Sequence, residues 1–182
     1  MAATLATRIR KAGLHRGQNG SAMTIEATPP QDATAAAALR SLAPLVVKQG
    51  VCLGGLPAAQ LALALALAWA GLPPETVMTE PQMNARLKQQ LAGPAAFLDT
   101  DHVELRRWLV DAGWITRDAY GRAYRRSAVA DLGPAPCALG QALSLAFAAV
   151  DSTRWVADLL QARQAARQAR RDAWQGGAGR LD

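Results

Sequence analysis

The chain has 182 residues, of which 51% are hydrophobic, so one compact domain with helical additions can bury a real core. Its 20 basic and 14 acidic side chains give a net charge of +6, which would ordinarily indicate an acidic partner such as nucleic acid. Residues 1–22 hold four bases and no acid, however, so the rest carries 16 bases against 14 acids, a net charge of only +2.

The first 32 residues are predicted to be a disordered leader and linker. Residues 1–22 contain neither a repeating apolar face nor a continuous apolar segment for secretion, and Met23 is a plausible true start. An acid-free leader with arginines could also be an organelle transit peptide, as a lesser alternative. We expect a cytoplasmic protein.

Cys52 and Cys137 are the only cysteines, and with His15 and His102 they are too few and too scattered for a metal cluster. We expect both cysteines to be small core residues rather than a disulfide. The sequence therefore predicts a protein without metal or cofactor.

Residues 33–47 favour a helix, which Pro44 should kink or end. Residues 51–53 could form a brief strand that pairs with a later hairpin. Residues 57–70 alternate Leu and Ala, which are strong helix formers and weak strand formers, so they predict a helix buried nearly all round. Residues 51–72 carry no charge, but their glycines and proline leave the unbroken helix too short for a membrane span.

The next helix begins at Thr79, where Gln82 completes a capping box, and ends at Gly93. One apolar stripe runs along it, formed by Met83, Leu87 and Leu91.

A further helix begins at Asp101, which caps the free amides while Glu104 closes the box, and it stops at Gly113. Its buried face is expected to hold Leu105, Trp108, Leu109 and Ala112. Arg106 falls between this face and a second apolar strip, so its stem should pack inside and its guanidinium should pair with a carboxylate such as Asp101 or Asp118. The most exposed arc holds Glu104, Arg107 and Asp111.

A tight hairpin follows, because Asp118 and Gly121 suit the first and last positions of a four-residue turn. Trp114 and Tyr124 are expected in the core. The hairpin is basic through Arg117, Arg122, Arg125 and Arg126. Two helices followed by a hairpin predict a mostly α fold with a small β-hairpin, a winged helix-turn-helix-like core with extra N- and C-terminal helices.

After the hairpin, residues 128–136 read as a connector marked by glycine and proline. Residues 137–150 predict an apolar helix, and a last helix runs from about Thr153 to Trp174. Its first half should offer Trp155, Leu159 and Ala162 to the core or to a second subunit, and its second half is rich in arginine. We therefore divide the chain into residues 33–126, the winged-helix-like domain with its lead-in, and residues 127–182, a C-terminal helical extension.

These residues also resemble a family. The pattern most similar to the bacterial domain-of-unknown-function family DUF2087 comprises Asn84, Asp101, Leu105, Arg106, Leu109, Gly113, Asp118, Gly121 and Tyr124. The resemblance extends over residues 50–126 and implies a role in regulation, because members are often attached to helix-turn-helix regulators. Two departures stand out: residues 58–61 lack the usual basic character, and Arg125 replaces a usual aromatic residue.

The sequence predicts a DNA-binding transcriptional regulator, dimeric through its terminal helices. Its contacts would be mainly electrostatic, from Arg107, Arg122, Arg125 and Arg126 to the backbone of double-stranded DNA. The alternative is a non-catalytic protein-interaction or dimerisation module on the same scaffold, which the acids beside Arg107 favour. Since the chain shows no phosphate loop, nucleophile motif or acid/base pair, we do not expect an enzyme.

Overall fold

The computed structural model describes residues 31–178, so the leader and most of the linker predicted for residues 1–32 lie outside the described residues. The described part forms six α-helices and three short strands. In chain order these are α1 (Gln31–Val46), α2 (Ala58–Ala70), β1 (Val77–Thr79), α3 (Glu80–Ala92), α4 (His102–Asp111), β2 (Ile115–Arg117), β3 (Ala123–Arg126), α5 (Pro134–Ala149) and α6 (Ser152–Ala178). Two 3₁₀ turns, Leu53–Gly55 and Val129–Asp131, join them. The chain is thus mostly helical with a small sheet, as the sequence predicts.

The three strands form one antiparallel sheet in the order β1-β3-β2. Tyr124 at its centre pairs with Met78 of β1 on one side and with Arg117 of β2 on the other. The prediction that residues 51–53 supply a strand to the hairpin was wrong. Val51 instead makes one isolated parallel bridge to Leu98, and β1 takes the third place in the sheet.

Helix α2 is the centre of the core, and the prediction that it is buried nearly all round is confirmed for its second half. Six consecutive residues, 64–69, are buried. Pro57 precedes the helix, where its missing N–H costs nothing. Pro44 does not end α1, which continues to Val46.

The C-terminal helices share this core with the rest of the chain. Helix α5 packs against α1 and α2, and Leu143 of α5 is fully buried in the same hydrophobic cluster as Trp69 of α2. Gly140 makes the close approach of α5 possible, because a Cβ there would lie 3.3 Å from the Trp69 ring. The ring centroids of Trp69 and Trp114 lie 5.4 Å apart, and Trp114 follows α4 in the chain.

Helix α6 has two unlike halves. In the first half, Trp155 and Leu159 are half-buried against the core, as predicted, and Val156 beside them is buried. Ala162, the third residue predicted on this face, is exposed. From residue 164 to residue 175 every side chain is exposed. No helix within residues 31–178 combines the length and the hydropathy that a membrane crossing requires.

Candidate nucleic-acid interface

The start of α3 has the predicted capping box. The Thr79 N–H donates to Gln82 Oε1 at 2.8 Å, and the Thr79 hydroxyl donates to the same oxygen at 3.1 Å. Thr79 is also the last residue of β1, so the box fixes the angle at which the chain leaves the sheet. Met83 and Leu87 are then fully buried.

The start of α4 is capped by Asp101 as predicted. Its carboxylate accepts hydrogen bonds from the N–H groups of Val103 and Glu104, at 2.7 and 2.8 Å. These two bonds lower the pKa of the Asp101 carboxyl, since they stabilise its charged form. Glu104 does not close the box, because its carboxylate accepts from the Thr100 hydroxyl at 2.8 Å instead.

Helix α4 buries Leu105 and Leu109 completely, and these two signature residues anchor it to the core. Trp108 is only half-buried and Ala112 is exposed, so the buried face is narrower than predicted. Gly113, another signature residue, ends the helix with a φ of 75°, a left-handed conformation that costs glycine little.

Arg106 is turned inward and pairs with a carboxylate, as expected, but the partner is Glu80 rather than Asp101 or Asp118. Its Nη1 lies 2.8 Å from Glu80 Oε1 and also donates to the side-chain oxygen of Asn84, so α4 is tied to the start of α3. The guanidinium also lies 5.3 Å from the centre of the Tyr124 ring. Asn84 and Tyr124, both signature residues, therefore act with Arg106 as one structural cluster.

The hairpin forms through the predicted turn. The Gly121 N–H donates to the Asp118 carbonyl at 3.1 Å, and Gly121 has a φ of 68°. The Asp118 carboxylate accepts from the N–H groups of Ala123 and Arg122, which lowers its pKa. Both signature residues of the turn thus serve to shape it.

Two of the three arginines predicted on the hairpin as DNA contacts point into solvent. Arg125 is exposed at the middle of the outer face of the sheet, where Val77 and Thr116 are its cross-strand neighbours. Arg122 is exposed beside the turn, with its Cζ 5.6 Å from the centre of the Tyr120 ring. Arg117, on the partner strand, is also exposed, but it pairs with Tyr124 and therefore lies on the face of the sheet opposite that of Arg125.

The guanidinium of the third, Arg126, is turned inward. It lies 3.7 Å from the centre of the Trp69 ring, and its Nη1 donates to the Leu72 carbonyl at 2.9 Å. Its Nη2 lies 3.4 Å from Ser144 Oγ on α5. Partial burial lowers the pKa of Arg126. Arg126 therefore does not share the exposed surface of Arg122 and Arg125.

Arg107 is exposed on α4. Glu104 and Asp111 lie on the same exposed side of the helix, as predicted. The positive charge of this region therefore belongs mainly to the hairpin.

A shallow groove of about 370 Å³ runs between the chain leading into β1 and helix α3. It is lined by Pro73, Thr76, Val77, Met78, Gln82, Ala85, Arg86 and Gln89. Within residues 31–178, no group of His, Cys, Asp and Glu side chains has the geometry of a metal site. Cys52 is exposed, so the expectation that both cysteines are core residues was wrong for this one, and Cys137 is half-buried.

The described chain is a mostly α-helical protein with a three-stranded antiparallel sheet, and one segment of it matches a family model. Residues 58–126 match the family described as an uncharacterized protein conserved in bacteria (DUF2087), which confirms the resemblance over these residues; residues 50–57 lie outside the match. The match begins at the first residue of α2 and ends at the last residue of β3, so it covers the helix, the sheet and the two capped helices between them. Searches of curated proteins and of solved structures return no significant match.

Proposed function

We propose that this protein is a non-catalytic, DNA-binding transcriptional regulator of the winged helix-turn-helix type. The observation that carries the proposal is topological. The matched segment runs helix, strand, helix, helix, strand, strand, and its sheet has the order β1-β3-β2. We interpret this arrangement as a winged helix, with α4 in the place of the recognition helix and the β2-β3 hairpin as the wing.

The charge distribution supports contact with the DNA backbone rather than with bases. The wing exposes Arg117, Arg122 and Arg125, and the Asp118 carboxylate among them is committed to the amides of the turn. Arg107 adds one exposed charge on α4, but the neighbouring Glu104 and Asp111 would repel phosphates. We therefore assign most of the affinity to the wing, with a strong dependence on salt.

The test is equilibrium binding of the full chain to a labelled duplex of mixed sequence at several salt concentrations. Replacing Arg122 and Arg125 by glutamine should reduce the slope of log affinity against log salt by about 2, since each phosphate contact contributes about 0.9. The matched control replaces Arg40 and Arg154, which are also exposed and lie on α1 and α6. Absence of binding even at low salt, or an equal effect of the control pair, would refute the proposal.

The second candidate is a protein-interaction module on the same scaffold, with self-association through the terminal helices. Exposed apolar side chains favour it: Leu145 and Val150 at the end of α5 are 42% and 40% exposed, and Val77 on the sheet is 55% exposed. Sedimentation equilibrium of the chain and of its Leu145→Ser variant tests it. A concentration-dependent dimer that the substitution dissociates would support this candidate, and a monomer throughout would eliminate self-association.

A further inference from the structure

The exposed half of α6 separates its residue types onto different sides. At 100° per residue, Arg163, Arg167, Arg170, Arg171 and Trp174 fall within an arc of about 100°. A neighbouring arc of about 100° holds Ala162, Ala165, Ala166, Ala169 and Ala173. Glutamines and Asp172 lie between the two, so one side of this helix carries nearly all of its charge.

This helix is held in place at one end and free along the rest. Arg163 anchors it, because its Nη1 donates to the Val47 carbonyl at the end of α1, at 2.7 Å. Beyond it, residues 164–175 are exposed on all sides over a length of about 18 Å, at 1.5 Å per residue. Strong helix formers and a hydrogen bond from Gln168 to Asp172 one turn later, at 2.8 Å, support it without core contacts.

We infer that this half of α6 is a basic arm that lies along the phosphate backbone of a nucleic-acid duplex, through Arg167, Arg170 and Arg171. Arg170 and Arg171 have no acidic neighbour on their own face of the helix, and a row of guanidiniums on a straight rod complements a row of phosphates. The inference names the same class of ligand as the proposed function but rests on other residues.

The composition of the arm argues against a membrane surface, the other polyanion that such a helix could meet. An interfacial helix needs a continuous apolar face to bury among the lipids. Here the apolar arc beside the arginines is alanine only, and Trp174, the one large apolar side chain between residues 164 and 175, lies among the arginines. The stretch therefore lacks the continuous apolar face by which an interfacial helix is buried in a bilayer.

The experiment uses the full chain and the labelled duplex, with binding measured by fluorescence anisotropy over a range of salt. Changing Arg167, Arg170 and Arg171 together to glutamine should lower the salt slope by about 2.7, since three phosphate contacts are lost. Arg170→Gln alone should lower it by about 0.9. Arg154→Gln is the matched control, because Arg154 is exposed on the same helix but lies on the side opposite Arg163. Circular dichroism should show unchanged helix content in all variants, since glutamine is nearly as good a helix former as arginine.

The outcomes separate the arm from the wing. If the salt slope falls in the α6 triple variant and not in the Arg122/Arg125 double variant, the result supports the arm and refutes the wing. The reverse result refutes the arm alone. An unchanged slope for the triple variant overturns the inference. So does sedimentation with vesicles of phosphatidylcholine and phosphatidylserine, if the same three substitutions abolish it and leave duplex binding intact.

Discussion

Replacing Arg126 by alanine should destabilise the fold strongly, whereas replacing its neighbour Arg125 should not. The two arginines are adjacent on β3, but successive side chains of a strand point to opposite faces. Arg125 is exposed, and Arg126 contacts Trp69 and donates to the Leu72 carbonyl. Comparing the two alanine variants therefore separates the effect of the side chain's position on stability from the effect of its charge.

The size of the effect follows from the contacts that are lost. A hydrogen bond from a charged donor contributes about 1.5–3 kcal/mol, and a partly desolvated cation–π contact adds about 0.5–2 kcal/mol. The hydroxyl of Ser144, 3.4 Å away, adds little. Since Arg126 is only partly buried and water can reach the vacated space, we expect a loss of about 2–4 kcal/mol in the free energy of unfolding. For Arg125→Ala the change should stay within about 0.5 kcal/mol.

Urea unfolding followed by far-ultraviolet circular dichroism measures both variants. With a dependence on urea of about 2 kcal/mol per M, Arg126→Ala should lower the midpoint by about 1–2 M. Arg126→Lys should recover only part of the loss, because an ammonium cannot stack as a planar fork. Equal midpoints for the Arg125 and Arg126 variants would show that the inward position of Arg126 contributes nothing to stability.

Three further predictions concern the elements around the hairpin. Arg106→Ala should lower the free energy of unfolding by about 2–3 kcal/mol, because it leaves a nearly buried cluster incomplete. Glu80→Gln should lower it by less than about 1 kcal/mol, since Glu80 is 46% exposed. Urea unfolding midpoints test both variants. Asp101→Ala should lower the melting temperature at pH 7. Because folding lowers the pKa of Asp101, the difference in melting temperature between the two proteins should persist at pH values above the unfolded-state pKa, near 4. It should vanish as the pH falls through the folded-state pKa. A difference that does not depend on pH would contradict the role of Asp101 as a charged helix cap. Gly113→Ala should lower the free energy of unfolding by about 1 kcal/mol through the positive φ of Gly113 alone, because no atom lies within 4 Å of the added Cβ. Gly55→Ala should lower it by less, since Gly55 has equally open surroundings and no positive φ.

The inward position of Arg126 could have been predicted from the sequence. Once Tyr124 is placed in the core, the two-residue period of a strand puts Arg126 on the same face. The basic appearance of the hairpin concealed this, because four arginines in ten residues suggest one charged surface. What the guanidinium meets there was not readable, since Trp69 and Ser144 come from helices 57 residues before and 18 residues after it.

The third strand was assigned to the wrong segment for a related reason. Residues 51–53 looked more strand-like than residues 77–79, which follow two prolines and end in a helix cap. A strand of three residues has little intrinsic preference, and pairing decides it. Met78 pairs with Tyr124, 46 residues later, and no local pattern encodes that contact.

The sequence alone determined the features whose hydrogen bonds close within a few residues. The capping box of Thr79, the cap of Asp101 and the turn from Asp118 to Gly121 each join groups no more than five positions apart, so the side chains that make them are visible in the chain itself. The tertiary structure decided what the Arg126 guanidinium contacts, which carboxylate pairs with Arg106 and which segment completes the sheet. Each of these features joins segments that are far apart in the chain and that meet only when the apolar residues around α2 are buried together. That burial depends on the packing of the whole domain and not on any local stretch of sequence.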